Sequence, residues 1–574
     1  AAGINASRRF FFSQDQQGYY LTLEGHTPTK FRLADPPDVI TFVGAVEDWY
    51  VENRSPEDHI FHLHQTHFVV MEINGVKIPS EKMEFLDGVY LPPWNGTGAY
   101  PSAKFRMGFN LVTAGLFVYH CHVLAHEDRG MMAKILVLQI PAPVTLPTLV
   151  PIGPSGSNSP CQRVPEGNFV QEPPQILSSG GLLDIRLLYR SGIGPDGNPQ
   201  HCYIMQDGTQ APTLRVWPGD RMRIAFTNQL VVPDGEAASA YISNLHCHGM
   251  FISPSPGQDF AVTVIAPGET YVYDIQIPYD HPSGLYWYHP HSHGTVNSAM
   301  LAGASGLLVV EGIDKERPDL ANFSVRTIAI RDQELPPNTN FSQPGVPKYD
   351  ASVNWVPVLY PSYNPAYLVM EPGAIEFWRV INAGADANYD LQILYDGVPQ
   401  PIDVIAIDGV AMGAVPASEP RPTSYYLCGG RRVEILVHGP GAGVKDARLV
   451  TLVTDNGPAG GGVQPARPLM RIVPIAGWGL PSWRMPLAPV PTPAPVGRPP
   501  PRTARLLAAG INASRRFFFS QDQQGYYLTL EGHTPTKFRL ADPPDVITFV
   551  GAVEDWYVEN RSPEDHIFHL HQTH

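Results

Sequence analysis

The strongest constraint in this chain is an internal copy: residues 1–67 recur without a change at residues 508–574, an offset of 507. Repeat architectures usually contain diverged units of roughly 20–50 residues, so a single unaltered copy of this length is a different pattern. We interpret the chain as a 507-residue sequence written around a circle and continued slightly past its start. A circular permutation, an engineered joining of segments and an error of sequence assembly are alternative origins, and an evolved duplication is a fourth.

Composition favours a turn-rich, all-β protein. The 574 residues include 60 prolines and 52 glycines, 43% are hydrophobic and only 16% are charged, against a usual charged fraction of about 25%. The net charge of −15 and the lack of a basic tract argue against nucleic acid as a partner. No apolar run approaches the ~18 residues of a membrane-spanning helix. The sequence starts without Met or a signal-like segment, so it does not itself reveal the compartment.

Diverged repeats divide the rest of the chain into units. The segment Gly284–His291 (GLYWYHPH) is similar to Gly115–His122 (GLFVYHCH), and each precedes an apolar strand pattern. These repeats predict three β-sandwich units, of which the middle one has a single histidine, His438. We expect sandwiches at residues 1–140, 171–315 and 316–480, a Pro/Gly/Ser-rich junction of the natural termini at 141–170, a Pro-rich linker at 481–507 and a duplicate of the start at 508–574.

Histidines in four short clusters are the candidate functional residues. Side chains at positions i and i+2 of a strand share a face, so each His-x-His pair presents two imidazoles to one side. Four such pairs suffice for about three metal ions, and imidazole suits copper or zinc. The clusters are His59, His62 and His64; His120 and His122 with His126; His246 and His248; and His289 and His291.

Cys121 lies between His120 and His122, so it points to the opposite face of their strand. His126 and His59 are its candidate partners there, and Met131 is the candidate axial ligand. Two histidines, a cysteine and a weak axial methionine form the ligand set of a blue-copper electron-transfer site. A metal at Cys121 would be joined through the backbone to the metals held by its two histidine neighbours. Zinc alone would account for the imidazoles but not for this His-Cys-His arrangement.

Together, the four clusters resemble those of three-domain multicopper oxidases, the group that includes laccases, bilirubin oxidases and bacterial copper-efflux oxidases. The resemblance covers essentially all 507 unique residues in circularly shifted order, and the segment His120–Met132 (HCHVLAHEDRGMM) is similar to bacterial members. It implies three cupredoxin-like Greek-key β-sandwich domains. Ile60 and Gln65 stand where Pro and Gly are common in fungal laccases, which argues against a fungal laccase.

The resemblance also implies four copper ions and a ligand set for each. Domain 1–140 would carry the type 1 copper and half of the trinuclear site, domain 171–315 the other half, and domain 316–480 no copper. The type 1 ligands would be His59, Cys121, His126 and Met131; the type 2 ligands His62 and His246; and the two type 3 sets His122, His248 and His289, and His64, His120 and His291.

The activity implied by the resemblance couples four one-electron oxidations of a small-molecule donor to reduction of dioxygen to two waters. His126 is the expected point of electron entry. Glu127 and Asp259 occupy places where family members keep proton-relaying carboxylates, although each could instead only orient a ligand or be solvated. The resemblance also implies a secreted or periplasmic location.

The donor is the least determined part of this expectation. The methionines form no surface-type cluster, and thioethers prefer soft ions such as Cu(I). We therefore expect a phenolic or aromatic-amine donor, as in laccases. A cuprous oxidase of copper resistance, and a non-catalytic copper-binding or scaffold member, are the alternatives.

The remaining polar candidates have simpler expected roles. We expect His293 to make hydrogen bonds around the ligands, Cys247 to face away from the metals and Cys428 to be a buried apolar residue. Sequence separation leaves open whether Cys161 and Cys202 form a disulfide.

The duplicated segment poses a choice, because one domain has room for one copy. Residues 1–67 are continuous with the segment that carries Cys121, so we expect this copy to fill the domain and supply His59, His62 and His64. The second copy, with His566, His569 and His571, would then be displaced, poorly ordered or paired with another molecule, which would allow an oligomer.

Overall fold

The computed structural model describes most of the chain outside the Pro-rich segments. The described residues are 4–32, 35, 37–42, 45–109, 113, 115–138, 150–151, 161, 163–194, 196–341, 345–413, 419–441, 443–457, 462–474, 509–522, 525–538, 545–549 and 552–570. The 481–507 segment, most of the 141–170 junction and His571 lie outside them. None of the helices in these ranges is long and apolar enough to cross a membrane.

The first unit is a β-sandwich whose strands carry bulky aromatic residues inward. Phe10, Trp49, Phe61 and Phe105 are fully buried between its sheets. Its strands are β1 (Ile4–Asp15), β2 (Gly18–Leu23), β3 (Val39–Phe42), β4 (Val46–Arg54), β5 (Asp58–Leu63), β6 (Phe68–Ile73), β7 (Val76–Lys77), β8 (Phe85–Leu86), β9 (Gly88–Leu91), β10 (Ser102–Gly108), β11 (Gly115–Cys121) and β12 (Met132–Leu138).

The second unit pairs two five-stranded sheets, in the orders β13-β20-β18-β15-β16 and β14-β17-β22-β21-β19. Its strands are β13 (Val150–Pro151), β14 (Gln175–Leu177), β15 (Leu182–Ile193), β16 (Pro199–Ile204), β17 (Thr213–Val216), β18 (Arg221–Asn228), β19 (His246–His248), β20 (Glu269–Gln276), β21 (Gly284–His289) and β22 (Gly306–Val310).

The third unit pairs a seven-stranded sheet, β25-β24-β23-β27-β33-β30-β31, with a six-stranded sheet built on β26-β37-β34-β28-β29. Its strands are β23 (Ser324–Glu334), β24 (Tyr349–Val353), β25 (Val356–Val358), β26 (Ala366–Met370), β27 (Ile375–Asn382), β28 (Tyr389–Tyr395), β29 (Val398–Pro399), β30 (Asp403–Ile407), β31 (Val410–Ala411), β32 (Tyr425–Leu427), β33 (Arg432–His438), β34 (Ala447–Leu452), β35 (Thr454–Asp455), β36 (Val463–Gln464) and β37 (Arg467–Pro474).

Short helices join the first two units. The α-helices of the described ranges are α1 (Leu124–Asp128), α2 (Val296–Leu301) and α3 (Ile313–Glu316), with 3₁₀ turns at Ser80–Lys82, Ala238–Tyr241 and Pro318–Leu320. The Asp128 carboxylate at the end of α1 accepts hydrogen bonds from the backbone N–H groups of Gly294 (3.1 Å), Val296 (3.1 Å) and Asn297 (2.6 Å). A carboxylate there satisfies N–H groups that the helix leaves unpaired, so α1 of one unit caps α2 of the other.

The second copy forms β38 (Asn512–Asp522), β39 (Gly525–Leu530), β40 (Ile547–Phe549), β41 (Val553–Asn560) and β42 (Glu564–Leu570). These strands take the same partners as the first copy: β11 pairs His120 with His62 of β5 and, in the same register, with His569 of β42. The rings of Tyr20 and Tyr527 have centroids 2.8 Å apart, closer than the 3.5–4.0 Å at which carbon atoms pack.

The structure superposes both copies at one position in the fold, so our expectation that residues 1–67 fill the domain stays a prediction. That volume holds one copy at a time. With either copy removed, the first unit reduces to a four-stranded sheet, β10-β4-β1-β2 or its equivalent, facing a five-stranded sheet, β3-β12-β11-β5-β9 or its equivalent. The all-β fold is confirmed, while the domain bounds given above stay a prediction.

Candidate metal centres

A buried pocket built around Cys121, here called the thiol pocket, brings together three of the predicted type 1 ligands. The Sγ of Cys121 lies 3.3 Å from Nδ1 of His59 and 3.7 Å from Nδ1 of His126, and the two Nδ1 atoms are 3.1 Å apart. Metal bonds of about 2.0 Å to nitrogen and 2.3 Å to sulfur put ligand atoms at similar separations. His566 of the second copy stands in place of His59, with its Nδ1 3.6 Å from the same sulfur.

The backbone around this pocket is held by β11, β5 and α1. Cys121 ends β11, His59 lies in β5 and His126 lies in α1, and all three are fully buried. The N–H of Cys121 donates to the carbonyl of Met131 at 3.0 Å, so the predicted axial residue is adjacent and buried. Burial raises the pKa of the Cys121 thiol well above its usual value. A thiolate at this depth therefore needs a bound cation, and this donor set of two imidazoles and one thiol suits copper.

The second centre is a set of eight buried histidines, here called the histidine cluster, that converge from two domains. The Nε2 atoms of His64 and His291 each lie 3.1 Å from Nε2 of His120, and Nε2 of His122 lies 3.2 Å from Nδ1 of His248. The members are His62, His64, His120 and His122 from the first unit and His246, His248, His289 and His291 from the second.

The predicted type 3 and type 2 groupings are largely brought together by this arrangement. His122, His248 and His289 have ligand atoms within 4.8 Å of one another, and so do His62 and His246 in a group with His248. The strand argument needs one correction, because His64, His122 and His291 lie just beyond the ends of β5, β11 and β21. Strand alternation alone therefore does not place these three imidazoles, and the backbone has already left the extended conformation at Gln65, where φ is +67°.

Burial also keeps these imidazoles in the form that binds metals. It lowers the pKa of His120 to about 3 and holds the pKa values of His246, His248 and His289 well below the ordinary value. Neighbouring histidines lower these pKa values further, because charges of one sign disfavour each other in a dry site. These lowered pKa values favour neutral imidazoles in the cluster, the form that binds copper.

Asp259 and Glu127, the predicted relay carboxylates, both reach the cluster. Asp259 Oδ2 lies 2.9 Å from Nδ1 of His246, and its Oδ1 accepts a hydrogen bond from the N–H of Cys247 at 3.1 Å. Glu127 Oε2 lies 2.8 Å from Nδ1 of His120, and Oε1 lies 3.5 Å from Nε2 of His291. Both side chains are fully buried, and burial raises the pKa of each well above its usual value. Asp259 is hydrogen-bonded to a ligand imidazole, Glu127 lies close to two of them, neither is solvated, and their roles as proton relays stay predictions.

The imidazoles of His126 and His59 are both 0% exposed where both copies of the segment are present, and electron entry through His126 stays a prediction. The ring of Tyr19 stacks on His126 with centroids 4.7 Å apart and planes 10° apart, and Glu57 Oε2 lies 2.9 Å from its Nε2. Tyr19 and Glu57 are themselves buried. The sequence analysis missed both residues, and only the proximity of Glu57 to His59 along the chain hinted at one of them.

The other predicted residues lie where packing rather than ligation explains them. His293 contacts the ring of Phe31 edge-on, with centroids 4.1 Å apart, and its expected hydrogen bonding around the ligands stays a prediction. Cys247 faces away from the cluster into an apolar core, and Cys428 is buried in another core. Cys161 and Cys202 form a disulfide, with Cα atoms 5.7 Å apart.

Comparisons with known proteins agree with this site. Two family models described as multicopper oxidase match residues 8–140 and 190–315. The multicopper oxidase mco of Staphylococcus aureus is 35% identical over 108 residues, which are 18% of this chain and 22% of that protein. The cell division protein FtsP of Xenorhabdus nematophila is 27% identical over 274 residues, or 46% of this chain and 52% of that protein.

Further relatives are named for other roles or known from crystal structures. The iron transport multicopper oxidase FET5 of Saccharomyces cerevisiae is 25% identical over 256 residues, covering 42% of this chain and 37% of that protein. A crystal structure of the multicopper oxidase McoA from Aquifex aeolicus is similar at a TM-score of 0.42 and 19% identity, covering 57% of this chain and 70% of that one. The chain spans about a fifth of the length of the first curated relatives it matches. Residues 8–140 and 190–315, which carry both candidate metal centres, are thus the parts of the chain that match multicopper oxidases.

Proposed function

We propose that this protein is a laccase-like oxidase that couples four one-electron oxidations of a phenolic or aromatic-amine donor to reduction of dioxygen to two waters. Four copper ions would be held by the residues assigned above, one in the thiol pocket and three in the histidine cluster. Bound there, copper would supply one-electron transfer at the pocket and dioxygen reduction at the cluster.

The observation that carries this proposal is that one strand serves both centres. Cys121 contributes its sulfur to the thiol pocket, while the imidazoles of its neighbours His120 and His122 enter the histidine cluster. An electron that arrives at the sulfur has only backbone and two side chains to cross. A scaffold protein without redox chemistry has no need for this connection, and every predicted histidine ligand and Cys121 is present.

The chain's carboxylates have separate roles in this proposal. Asp259 accepts from Nδ1–H of His246, which directs the Nε2 of that ring into the cluster. Glu127 lies between His120 and His291 and is placed to hold a proton beside the reacting oxygen. Burial of both groups excludes bulk water, so protons must arrive through positioned side chains or ordered water.

The donor is proposed to act across the side chains that cover His126. Tyr19 and Glu57 separate this imidazole from solvent, so an aromatic donor would transfer its electron through them rather than by touching the ring.

The disulfide between Cys161 and Cys202 supports a secreted or periplasmic location, because disulfides persist in oxidising compartments.

Copper analysis combined with oxygen uptake tests the proposal. We expect four coppers per chain, a visible thiolate–copper absorption and oxygen consumption driven by a methoxyphenol. Oxygen uptake with Cu(I) but not with the phenol would instead assign a cuprous oxidase. A protein that binds copper without consuming oxygen with either donor would be the non-catalytic alternative.

A further inference from the structure

A cavity of about 890 Å³ opens between the second and third units, beside α2. Ser298 and Leu301 of α2 and the next residue, Ala302, line it, together with apolar side chains such as Leu230 and Leu359. Cavities of roughly 300–1,000 Å³ that are mostly apolar with a few placed polar groups hold small organic ligands. Neither centre described above uses this cavity.

One wall of the cavity carries a tyrosine paired with a base. The hydroxyl of Tyr189 donates to Nδ1 of His201 at 2.7 Å, and both residues line the cavity. Burial lowers the pKa of His201 to about 4, so its imidazole is neutral and can accept a proton. A tyrosine loses an electron readily only where its proton has an acceptor within hydrogen-bond reach, and this pair meets that requirement.

From Tyr189, buried aromatic rings lead directly to the histidine cluster. The ring centroids of Tyr189 and Tyr203 are 5.3 Å apart, and those of Tyr203 and Tyr288 are 5.2 Å apart. Tyr288 immediately precedes His289, a member of the cluster, on β21. These rings also fill the core of the second sandwich, but core packing alone explains neither the imidazole partner of Tyr189 nor its position at a cavity.

The charges around the cavity define the class of ligand. Glu166, Asp196 and Glu334 line it, against the single guanidinium of Arg163. This surplus of carboxylates disfavours an anion and favours a neutral or cationic guest. An aromatic ring fits the apolar walls, so a phenol or an aromatic amine satisfies both conditions.

We propose that this cavity is a second donor site, where a neutral or cationic phenol or aromatic amine is oxidised through Tyr189. The proposal rests on the dioxygen-reducing function above, which supplies the terminal oxidant. Tyr189 loses one electron through Tyr203 and Tyr288 toward the histidine cluster, and its phenolic proton passes to Nδ1 of His201. The tyrosyl oxygen then takes a hydrogen atom from the donor's O–H or N–H bond, which restores Tyr189 and leaves a donor radical. His201 releases its proton to solvent, so each cycle removes one electron and one proton from the donor.

The first experiment measures binding to the copper-free protein, which separates the cavity from the oxidase chemistry. We expect 2,6-dimethoxyphenol to bind, as followed by saturation-transfer NMR, and its affinity to fall at least tenfold in Ala240→Trp, which fills the cavity. Ala237→Trp, an exposed neighbour outside the cavity, is the matched control and should bind as the wild type does. Equal binding by Ala240→Trp, or equal binding of a sulfonated anionic analogue, would overturn the site.

The second experiment tests the tyrosine–histidine pair, also without copper. Flash oxidation with a ruthenium polypyridyl and persulfate should produce a tyrosyl radical detectable by EPR. We expect its main component to disappear in Tyr189→Phe and to fall at least threefold in His201→Gln. Tyr271→Phe is the control, since this hydroxyl accepts a hydrogen bond from Gly257 N–H at 2.7 Å and has no imidazole partner of this kind. An unchanged spectrum in Tyr189→Phe would refute the relay.

The third experiment uses the copper-loaded protein. Tyr189→Phe should lower kcat/KM for the phenol at least fivefold while phenol binding and visible absorption stay unchanged. Wild-type kcat/KM in this variant would overturn the role of Tyr189. Failure of the wild type to consume oxygen would refute the proposed function, but the two copper-free results would still decide whether the cavity and the pair exist.

Discussion

The thiol pocket and the histidine cluster are neighbours on one strand, but they are built on different principles. The pocket takes His59, Cys121 and His126 from a single domain, where β5, β11 and α1 meet. The cluster takes four histidines from each of two domains. Geometry at the pocket therefore depends on local packing, whereas geometry at the cluster depends on how the domains dock. A substitution can therefore change one centre and leave the other intact, even though the backbone joins them.

The largest expected separation comes from Cys121→Ser. Serine keeps the size of the side chain but removes the thiolate, so the visible absorption and the oxidase activity should be lost completely. The three coppers of the cluster should stay bound, because none of its imidazoles changes. Metal analysis together with an absorption spectrum checks this, and colour that persists in the variant would refute our assignment of the pocket.

Changing the equivalent histidines of the two copies, His62 and His569, tests which copy supplies a ligand to the cluster. If residues 1–67 fill the domain, His62→Ala should reduce copper in the cluster and His569→Ala should leave it unchanged. The preference for one copy comes only from chain closure and is of order 1 kcal/mol, so the other copy should partly rescue His62→Ala. The double variant should lose this copper fully.

Copper counting on all three variants distinguishes the outcomes. Loss of cluster copper in His569→Ala alone would mean that residues 508–574 are the functional copy. Full copper in the double variant would mean that His62 is not a ligand.

A smaller effect, confined to the reaction with dioxygen, is expected from Asp259→Asn. The amide keeps a hydrogen-bonding group beside Nδ1 of His246 but cannot carry a proton, and general acid–base contributions are about 10²-fold or more. Reoxidation of the reduced protein by dioxygen should slow at least tenfold, while reduction of the pocket by a phenol stays nearly constant. Stopped-flow spectra of each half-reaction test this; equal slowing of both would indicate a structural defect.

The smallest effect is expected from Glu57, which lies against His126 at the thiol pocket, and it concerns the reduction potential of that pocket. Replacing Glu57 by Gln, together with Glu564 in the second copy, removes a negative charge beside His126. A lost negative charge disfavours the oxidised, more positive centre by about 2–3 kcal/mol at an effective dielectric constant of ~20 and a separation of about 6–7 Å. The reduction potential of the pocket should rise while that of the cluster stays the same, as a redox titration would show. A shift confined to the cluster would contradict the assigned contact.

The sequence predicts the ligands of both centres better than it predicts their surroundings. Alternation along a strand places Cys121 opposite its two histidine neighbours, and the structure agrees. The cover over His126 could not be predicted, because Tyr19 is more than 100 residues away along the chain and meets it only through the packing of β2. The Cys161–Cys202 disulfide likewise depends on a Cα separation that no spacing rule supplies.

The sequence also cannot predict which of the two identical segments fills the domain. Two identical sequences make identical local contacts, so His62 and His569 have the same register opposite His120. Nothing within the segment can select between them. Only the connections to the rest of the chain differ, and loop closure separates states weakly.

Because four histidines come from each side of a domain boundary, copper binding and domain docking are thermodynamically linked. A metal that binds only the docked form stabilises it by RT ln(1 + [L]/Kd), about 4 kcal/mol when free copper exceeds Kd a thousandfold. The Asp128 cap on α2 spans the same boundary without metal, and it provides a starting alignment. The resistance of the folded protein to heat and proteolysis would therefore follow copper supply, so that a copper-starved environment would remove the protein itself along with its proposed activity.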